Sequence, residues 1–436
     1  ALRAAPIGAA WRPAPAAAPL AGCHRSPPPF TGGWVGASAD RGHRLRDLGK
    51  SGRLPPPTVT RRTGVLVVGA GVAGLACARA LVAAGVDDVQ LLELEDQAGG
   101  NSRSHRLAGL RCPLGAHYLP VPADSDRDLL ALLESFDLCR HQHGQWVFDE
   151  RHLCHSPQER LFFRGHWHEG LLPVPDDDPG ALAAYRRFSD RVTEARREAG
   201  FALPTATVPW TPAHAALDAV TMRAWLDAQD LHHPLLRAYL DYCCRDDYGA
   251  GLGQVSAWAG LNYFASRHGF HAPGDEAVDR DAVLTWPEGN GWLTARMAAP
   301  LQSRLNTGRI ALRVDAGRDQ VTVDSFDVRS GTVERWTAGR VVLATPLFVS
   351  ARLLAAPPPA LVDAVSRQRH APWLVANLFV DDALDDPPGA APAWDNVIHG
   401  SPLLGYVDAM HQDTRPHGGP TVLTAYWALG GDDAAT

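Results

Sequence analysis

The sequence predicts an α/β fold in which a nucleotide-binding domain on a parallel sheet is interleaved with a mostly helical α+β domain. Three observations predict it. A short, wholly apolar strand, "VLVV", runs straight into a glycine-rich turn and a helix. A second apolar strand follows and ends on an acid. Strand patterns then return only after a long stretch of helical periodicity.

The 436 residues allow two or more domains with a sizeable core. At 45% hydrophobic and 20% charged, the composition is that of a globular protein. A net charge of −7 with no basic stripe speaks against nucleic acid as a partner. Seven cysteines without a CxxC pair signal neither a zinc nor a disulfide framework, and Cys243 and Cys244 read as two buried thiols on a helix face. Histidines crowd into "HQHG", "RHLCHS" and "GHWHEG" without a ligand spacing, so no metal is expected. No apolar run reaches the ~18 residues of a membrane-spanning helix.

Taken in order, residues 1–60 are rich in Pro, Gly and Ala and read as a disordered tail and linker. Within them, Leu20-Ala21-Gly22 before Cys23 has the form of a bacterial lipoprotein processing site. That gives an expected signal and a lipid-tethered protein facing the periplasm or cell envelope, against an Ala/Pro tail on a cytoplasmic one. The absence of an initiating Met reads as a fragment. Next come the "VLVV" strand, a helix over 73–84 stopped by Gly85, and the strand "DVQLLEL" carrying Glu93. Over 124–286 the texture is helical, with Thr221 a natural N-cap. There "CCRDDYG" supplies Arg245, Asp246 and Asp247, read as the charged end of a helix. Strands resume with "QVTVDSFDV", "TVERWTAG" and "RVVLATP". The expected division is a discontinuous nucleotide domain, 61–122 and 287–356, and a substrate domain, 123–286 and 357–436.

Gly69, Gly71 and Gly74 form GxGxxG between strand and helix. The first allows the tight turn, the second a close approach of backbone to a pyrophosphate, and the third close packing of helix on strand. The free N–H groups around Gly69, Ala70, Gly71, Val72, Ala73 and Gly74 suit phosphate oxygens. Glu93, followed by Leu94, ends the second strand, where its carboxylate can accept both hydroxyls of an adenosine ribose. The pattern is Rossmann-like and leaves NAD and FAD open. Glu93 disfavours NADP, whose extra phosphate it would repel.

The next residues, "EDQAGGNSRS", resemble the FAD-dependent amine oxidase, phytoene desaturase and protoporphyrinogen oxidase superfamily. There the ribose acid is followed by a Gly-Gly loop around pyrophosphate and flavin, matched here by Gly99 and Gly100. The family's following Arg or Lys is replaced by Asn101, with Ser102 and Arg103 as substitutes and Arg103 the natural cation for a pyrophosphate. "LGAHYLP" is similar to the family segment that runs along the isoalloxazine, placing Gly115, Ala116, His117 and Tyr118 at the flavin. "WPEGNGWL" looks like the family's glycine turn near it, and Ala311 falls where the adenine-flanking strand usually carries Val. The resemblance implies FAD, with hydride removal from a C–N or C–C bond of a small organic substrate to flavin N5 and an acceptor such as O2 or a quinone.

The family's amine-oxidising branch uses a lysine near N5, and the only lysine here is Lys50. That shifts the expectation toward desaturase-like chemistry. His117, Tyr118 and Trp292 are the catalytic candidates, with Trp286 beside them. Members end on a Gly-Asp motif before a last helix, which Gly431-Asp432 matches only superficially. Two rival readings remain: a non-catalytic flavin- or nucleotide-binding protein and an NAD-dependent dehydrogenase.

Overall fold

In a computed structural model, residues 31–51, 55–267, 269–275, 282–382, 384, 387–414 and 418–430 are described. Cys23 and Gly431-Asp432 lie outside them. The strand Val59–Val68 is central to a six-stranded sheet. It pairs in parallel with Val89–Glu93 on one side and Thr332–Leu343 on the other. Leu305–Thr307 extends the parallel part next to Val89–Glu93, and Val321–Asp327 and Arg309–Ala316 add an antiparallel edge. Leu66, Val67, Leu91 and Leu92 are buried, as an apolar strand covered on both faces requires.

A second six-stranded sheet joins distant parts of the chain. Glu159–Phe163 pairs in parallel with Asp395–Ile398, and Thr421–Ala428 pairs antiparallel with Trp373–Val380. Against it stands a helical lobe built from Gly180–Ala199, Pro234–Tyr248 and Ala257–Ala265 around buried Tyr185, Phe188, Leu240 and Leu261. Cys243 and Cys244 are buried free thiols on the second of these helices.

Two expectations need correction. Residues 39–51, assigned by composition to a tail, form a helix. It has little apolar surface, but Leu45 reaches the core beside Leu66 and Trp336, and the Arg44 guanidinium lies 3.6 Å over the Phe326 ring. Arginine stems cover apolar surface that a hydropathy reading assigns to water. The 124–286 stretch is not helical throughout, because the strands Cys139–Gln142, Gln145–Phe148, Glu159–Phe163 and His166–Glu169 form two hairpins. Their turns, His143-Gly144 and Arg164-Gly165, have all four residues at positive φ, the two-residue geometry that matches strand twist.

Candidate functional site: a dinucleotide cradle and an adjoining chamber

The central strand delivers Gly69 at a φ of 101°, and a Cβ on Gly74 would lie 1.8 Å from the Gly69 carbonyl oxygen. Only glycine lets the helix Val72–Ala83 sit this close to the turn. Gly71 caps that helix without a side-chain bond, leaving the first N–H groups, from Val72 and Ala73 onward, to an outside acceptor. Gly100 faces Gly71 so closely that a Cβ on Gly100 would stand 3.2 Å from the Gly71 Cα. The Gly99 N–H donates to the Ala70 carbonyl at 2.8 Å, which ties the two loops together. The Arg103 Nε donates to the Gly100 carbonyl at 3.0 Å, and among the described residues Arg103 forms no ion pair.

Glu93 is buried at the end of its strand. One carboxylate oxygen accepts the Ala70 N–H and the other the Glu95 N–H, both at 2.9 Å. Burial raises its pKa; the two backbone bonds and the Arg103 charge oppose that rise. Leu94 packs with Ile310 and Phe326 beyond it. Ala311, partly buried, lies where the register of its strand shifts against the neighbouring strand.

Ser102 is buried, and its carbonyl accepts the Thr294 hydroxyl at 3.0 Å. The Asn101 carbonyl accepts the Ala116 N–H at 3.0 Å, and a Cβ on Gly115 would meet that same carbonyl at 2.4 Å. Asn290 holds the other side: its N–H donates to the Ala116 carbonyl and its side-chain amide to the Tyr118 carbonyl, at 3.0 and 2.8 Å. The glycine turn over 286–292 therefore clamps residues 115–118 against the Gly-Gly loop. Uncapped amides, paired bare glycines, an arginine without an ion pair among the described residues and a ribose-height carboxylate are the donors and acceptor of a dinucleotide site, so these residues fit FAD.

Beyond Ala116 the loop enters an aromatic wall. The His117 ring stacks on Tyr426 at 4.5 Å between centroids, and Trp394 lies 5.4 Å from His117 and 5.9 Å from Tyr118. Tyr426 donates its hydroxyl to the Gly115 carbonyl at 3.0 Å. Burial pushes the imidazole of His117 down to about 4, so at neutral pH it carries no spare proton to donate as an acid.

Tyr118, Tyr242, Tyr263, Asp246 and Asp395 are each partly buried, and the Tyr242 hydroxyl donates to Asp395 at 3.4 Å, so they outline a recess, an aromatic and acidic chamber next to His117 and Trp394. Asp246 is not a solvated helix end. Tyr239, Tyr242, Cys243 and Asp246 follow one face of Pro234–Tyr248, and that face turns inward. Burial raises the Asp246 carboxyl to about 7, with further upward push from Asp247 and Glu159. Asp395 is raised well above the usual carboxylate range by burial and then by Asp246 and Glu159.

Trp286 and Trp292 stand elsewhere. They stack on each other at 5.1 Å and line a cavity of about 490 Å3 with Arg106, Arg111 and His152; none of residues 115–118 lines it. The Arg296 guanidinium sits 3.2 Å from the Trp292 ring centroid. Of the catalytic candidates, only His117 and Tyr118 meet at the chamber.

Sequence reasoning missed Ser38 and Arg41, whose backbone N–H and guanidinium bind Glu95 at 2.8 and 3.4 Å just past the ribose acid. It missed Tyr426, and also Asn377, whose amide donates to the Pro113 carbonyl at 3.0 Å. These contacts close between segments far apart in sequence and leave no local signal. For Asp246 a signal existed in the i, i+3, i+4, i+7 stripe.

The sequence profile described as flavin-containing amine oxidoreductase matches residues 72–433. Polyamine oxidase 7 of Oryza sativa subsp. japonica is 35% identical over 60 residues, 14% of this chain and 13% of that protein. Polyamine oxidase 1 of Zea mays is 40% identical over 55 residues, 13% of this chain and 11% of that protein. The chain thus matches well under two thirds of these curated relatives' length. A solved putrescine oxidase superposes with a TM-score of 0.64 at 18% identity, covering 86% of this chain and 77% of that one. Cyclohexylamine oxidase from Brevibacterium oxydans gives 0.60 at 17%, covering 86% and 76%. At such identities these structures speak for the fold. With the profile spanning most of the sequence, the chain belongs to the flavin-containing amine oxidoreductase family, and the cofactor of its cradle is FAD.

Proposed function

We propose that the protein is an FAD-dependent oxidoreductase that oxidises the C–N bond of a small amine. The observation that carries this reading is the continuity of residues 115–118. Gly115 and Ala116 lock onto the cofactor loop, and His117 and Tyr118 enter an enclosed aromatic chamber. A substrate lodged there has its C–H bonds next to the cofactor and away from bulk water. Held by the glycine turn, Glu93 and the Gly99-Gly100 loop, FAD would supply the two-electron acceptor for oxidation of the C–N bond, with O2 or a quinone as the class of final acceptor. The chain's own residues position the substrate and keep His117 neutral, so that no fixed imidazolium charge opposes entry of a cation.

The relatives named above are polyamine, putrescine and cyclohexylamine oxidases, which favours the C–N over the C–C reaction. The absence of lysine beyond Lys50 means that the reading relies on no lysine near the flavin. The test is anaerobic mixing of the flavin-loaded protein with primary amines, followed by admission of air. The expected result is bleaching of the oxidised flavin bands and their return. Bleaching by a polyene but by no amine would replace this reading with a desaturase one. A flavin that no organic donor reduces would make the protein a non-catalytic binder.

A further inference from the structure

The chain ahead of the helix Ala39–Ser51 joins the two walls of the cofactor cradle. Ser38 donates its main-chain N–H to the Glu95 carboxylate at 2.8 Å, and Glu95 donates its own N–H to the ribose acid Glu93 at 2.9 Å. Gly36 lies against the other wall, where a Cβ on it would stand 3.1 Å from the Leu114 Cδ1. Leu114 leads into residues 115–118, and its N–H donates to the Arg103 carbonyl at 3.0 Å, just past the Gly-Gly loop. Residues 36–38 thus bridge the ribose side and the flavin side of the cradle over at most about 7 Å of extended chain.

The bridge is firm at one end and loose at the other. Behind Ser38, Arg41 binds the Leu94 carbonyl, Glu95 and Asp96, while Leu45 and Arg44 hold the helix to the sheet. Ahead of Ser38, the main chain of residues 34–37 has no hydrogen-bond partner among the described residues. Trp34 is 92% exposed and Val35 51%. Gly36 sits at a φ of 91°, a conformation that glycine enters and leaves at little cost, so the chain can turn there. A segment with so few buried contacts opens easily.

We propose that residues 34–38 form a strap across the mouth of the cradle, which must swing aside for FAD to enter or leave, so that its grip sets the rate of cofactor exchange. The inference rests on the FAD cradle and is independent of the amine reading. A gate of this kind slows entry and exit alike and leaves affinity almost unchanged. Ser38 and Gly36 are positioning residues in it, because the cofactor itself is held by the amides of the glycine turn and by Glu93.

The test follows the fluorescence of free FAD as the loaded full chain is diluted, and again as the emptied chain takes FAD up. Ser38→Pro removes the N–H given to Glu95. It is expected to speed uptake and release each by at least ~tenfold, with the dissociation constant moving less than about threefold. Gly36→Cys combined with Leu114→Cys staples the strap shut. With that disulfide formed, release slows by at least ~tenfold, and a reductant restores it. A folded Ser38→Pro variant in which neither rate rises overturns the proposal. Faster release without faster uptake overturns it as well, since Ser38 would then serve affinity and not passage. A chain whose staple is confirmed by mass, yet which releases FAD at the unstapled rate, also overturns it.

Discussion

Glu93 and Asp246 are both enclosed carboxylates, yet the fold treats them in opposite ways. Glu93 ends a strand of the parallel sheet and receives two backbone N–H bonds at 2.9 Å, with Arg103 nearby. Its cost of burial is largely met inside the protein, so it is ready to accept further donors from a ribose. Asp246 lies on a helix face whose backbone amides are already used within the helix, and the charges of Asp247 and Glu159 offset those of Arg267 and Arg245 around it. The difference teaches that a strand end can solvate an acid with main chain, whereas a helix flank leaves that task to whatever enters the cavity.

The largest expected effect comes from breaking the frame around Glu93. Gly74→Ala places a methyl 1.8 Å from the Gly69 carbonyl oxygen. We expect at least ~3 kcal/mol of destabilisation and loss of bound flavin, read by thermal melting and by absorbance after gel filtration. A variant that keeps the wild-type melting point and flavin content would show that the turn is looser than described.

Asp246 makes a prediction in pH. Its folded pKa, about 7, lies above the unfolded value of 3.8, so the folded state holds more protons between those values. Stability should therefore be full below about pH 4, fall as pH rises toward 7, and flatten above. Asp246→Asn should remove most of this fall and stabilise the substrate-free protein near pH 8 by on the order of 2–4 kcal/mol, one pKa unit being about 1.4. Urea melts across that pH range decide the matter, and a variant with the same slope as wild type would place the titration elsewhere.

Glu93→Ala should weaken FAD binding by roughly 1–3 kcal/mol, because it leaves the Ala70 and Glu95 N–H groups and the ribose hydroxyls without their acceptor. Fluorescence titration with FAD measures this, and an unchanged affinity would mean that the acid serves the turn alone. The smallest effect belongs to Arg41→Ala, which removes partly exposed pairs with Glu95 and Asp96. The expected cost is about 0.5 kcal/mol, with flavin affinity changing less than about threefold. A larger loss would make the helix Ala39–Ser51 part of the cofactor site.

The nucleotide-binding half was legible because its constraints are local. A buried parallel strand must be apolar, a tight turn under a helix must be glycine, and the ribose acid must close the next strand. All three fall within Val65 to Ser104. The Gly-Gly loop added the choice of FAD through its resemblance to known flavoproteins. The helix Ala39–Ser51 was illegible because two arginines and one leucine hold it to the sheet edge, and the same residues are common in tails.

The sequence by itself thus determined a dinucleotide site, through glycines and one acid whose spacing is set by a single β-α-β unit, and the resemblance of its Gly-Gly loop pointed to FAD. The tertiary structure alone decided what stands at the cofactor's reactive end. It brings Tyr118, Asp246, Asp395 and Tyr426, each from a different element, to one neighbourhood. Asp246 reads as solvated beside Arg245 and Asp247 because a one-dimensional neighbourhood cannot show which side of a helix is covered. Only packing against the second sheet turns that side inward, and with it the charge that a cationic substrate would meet.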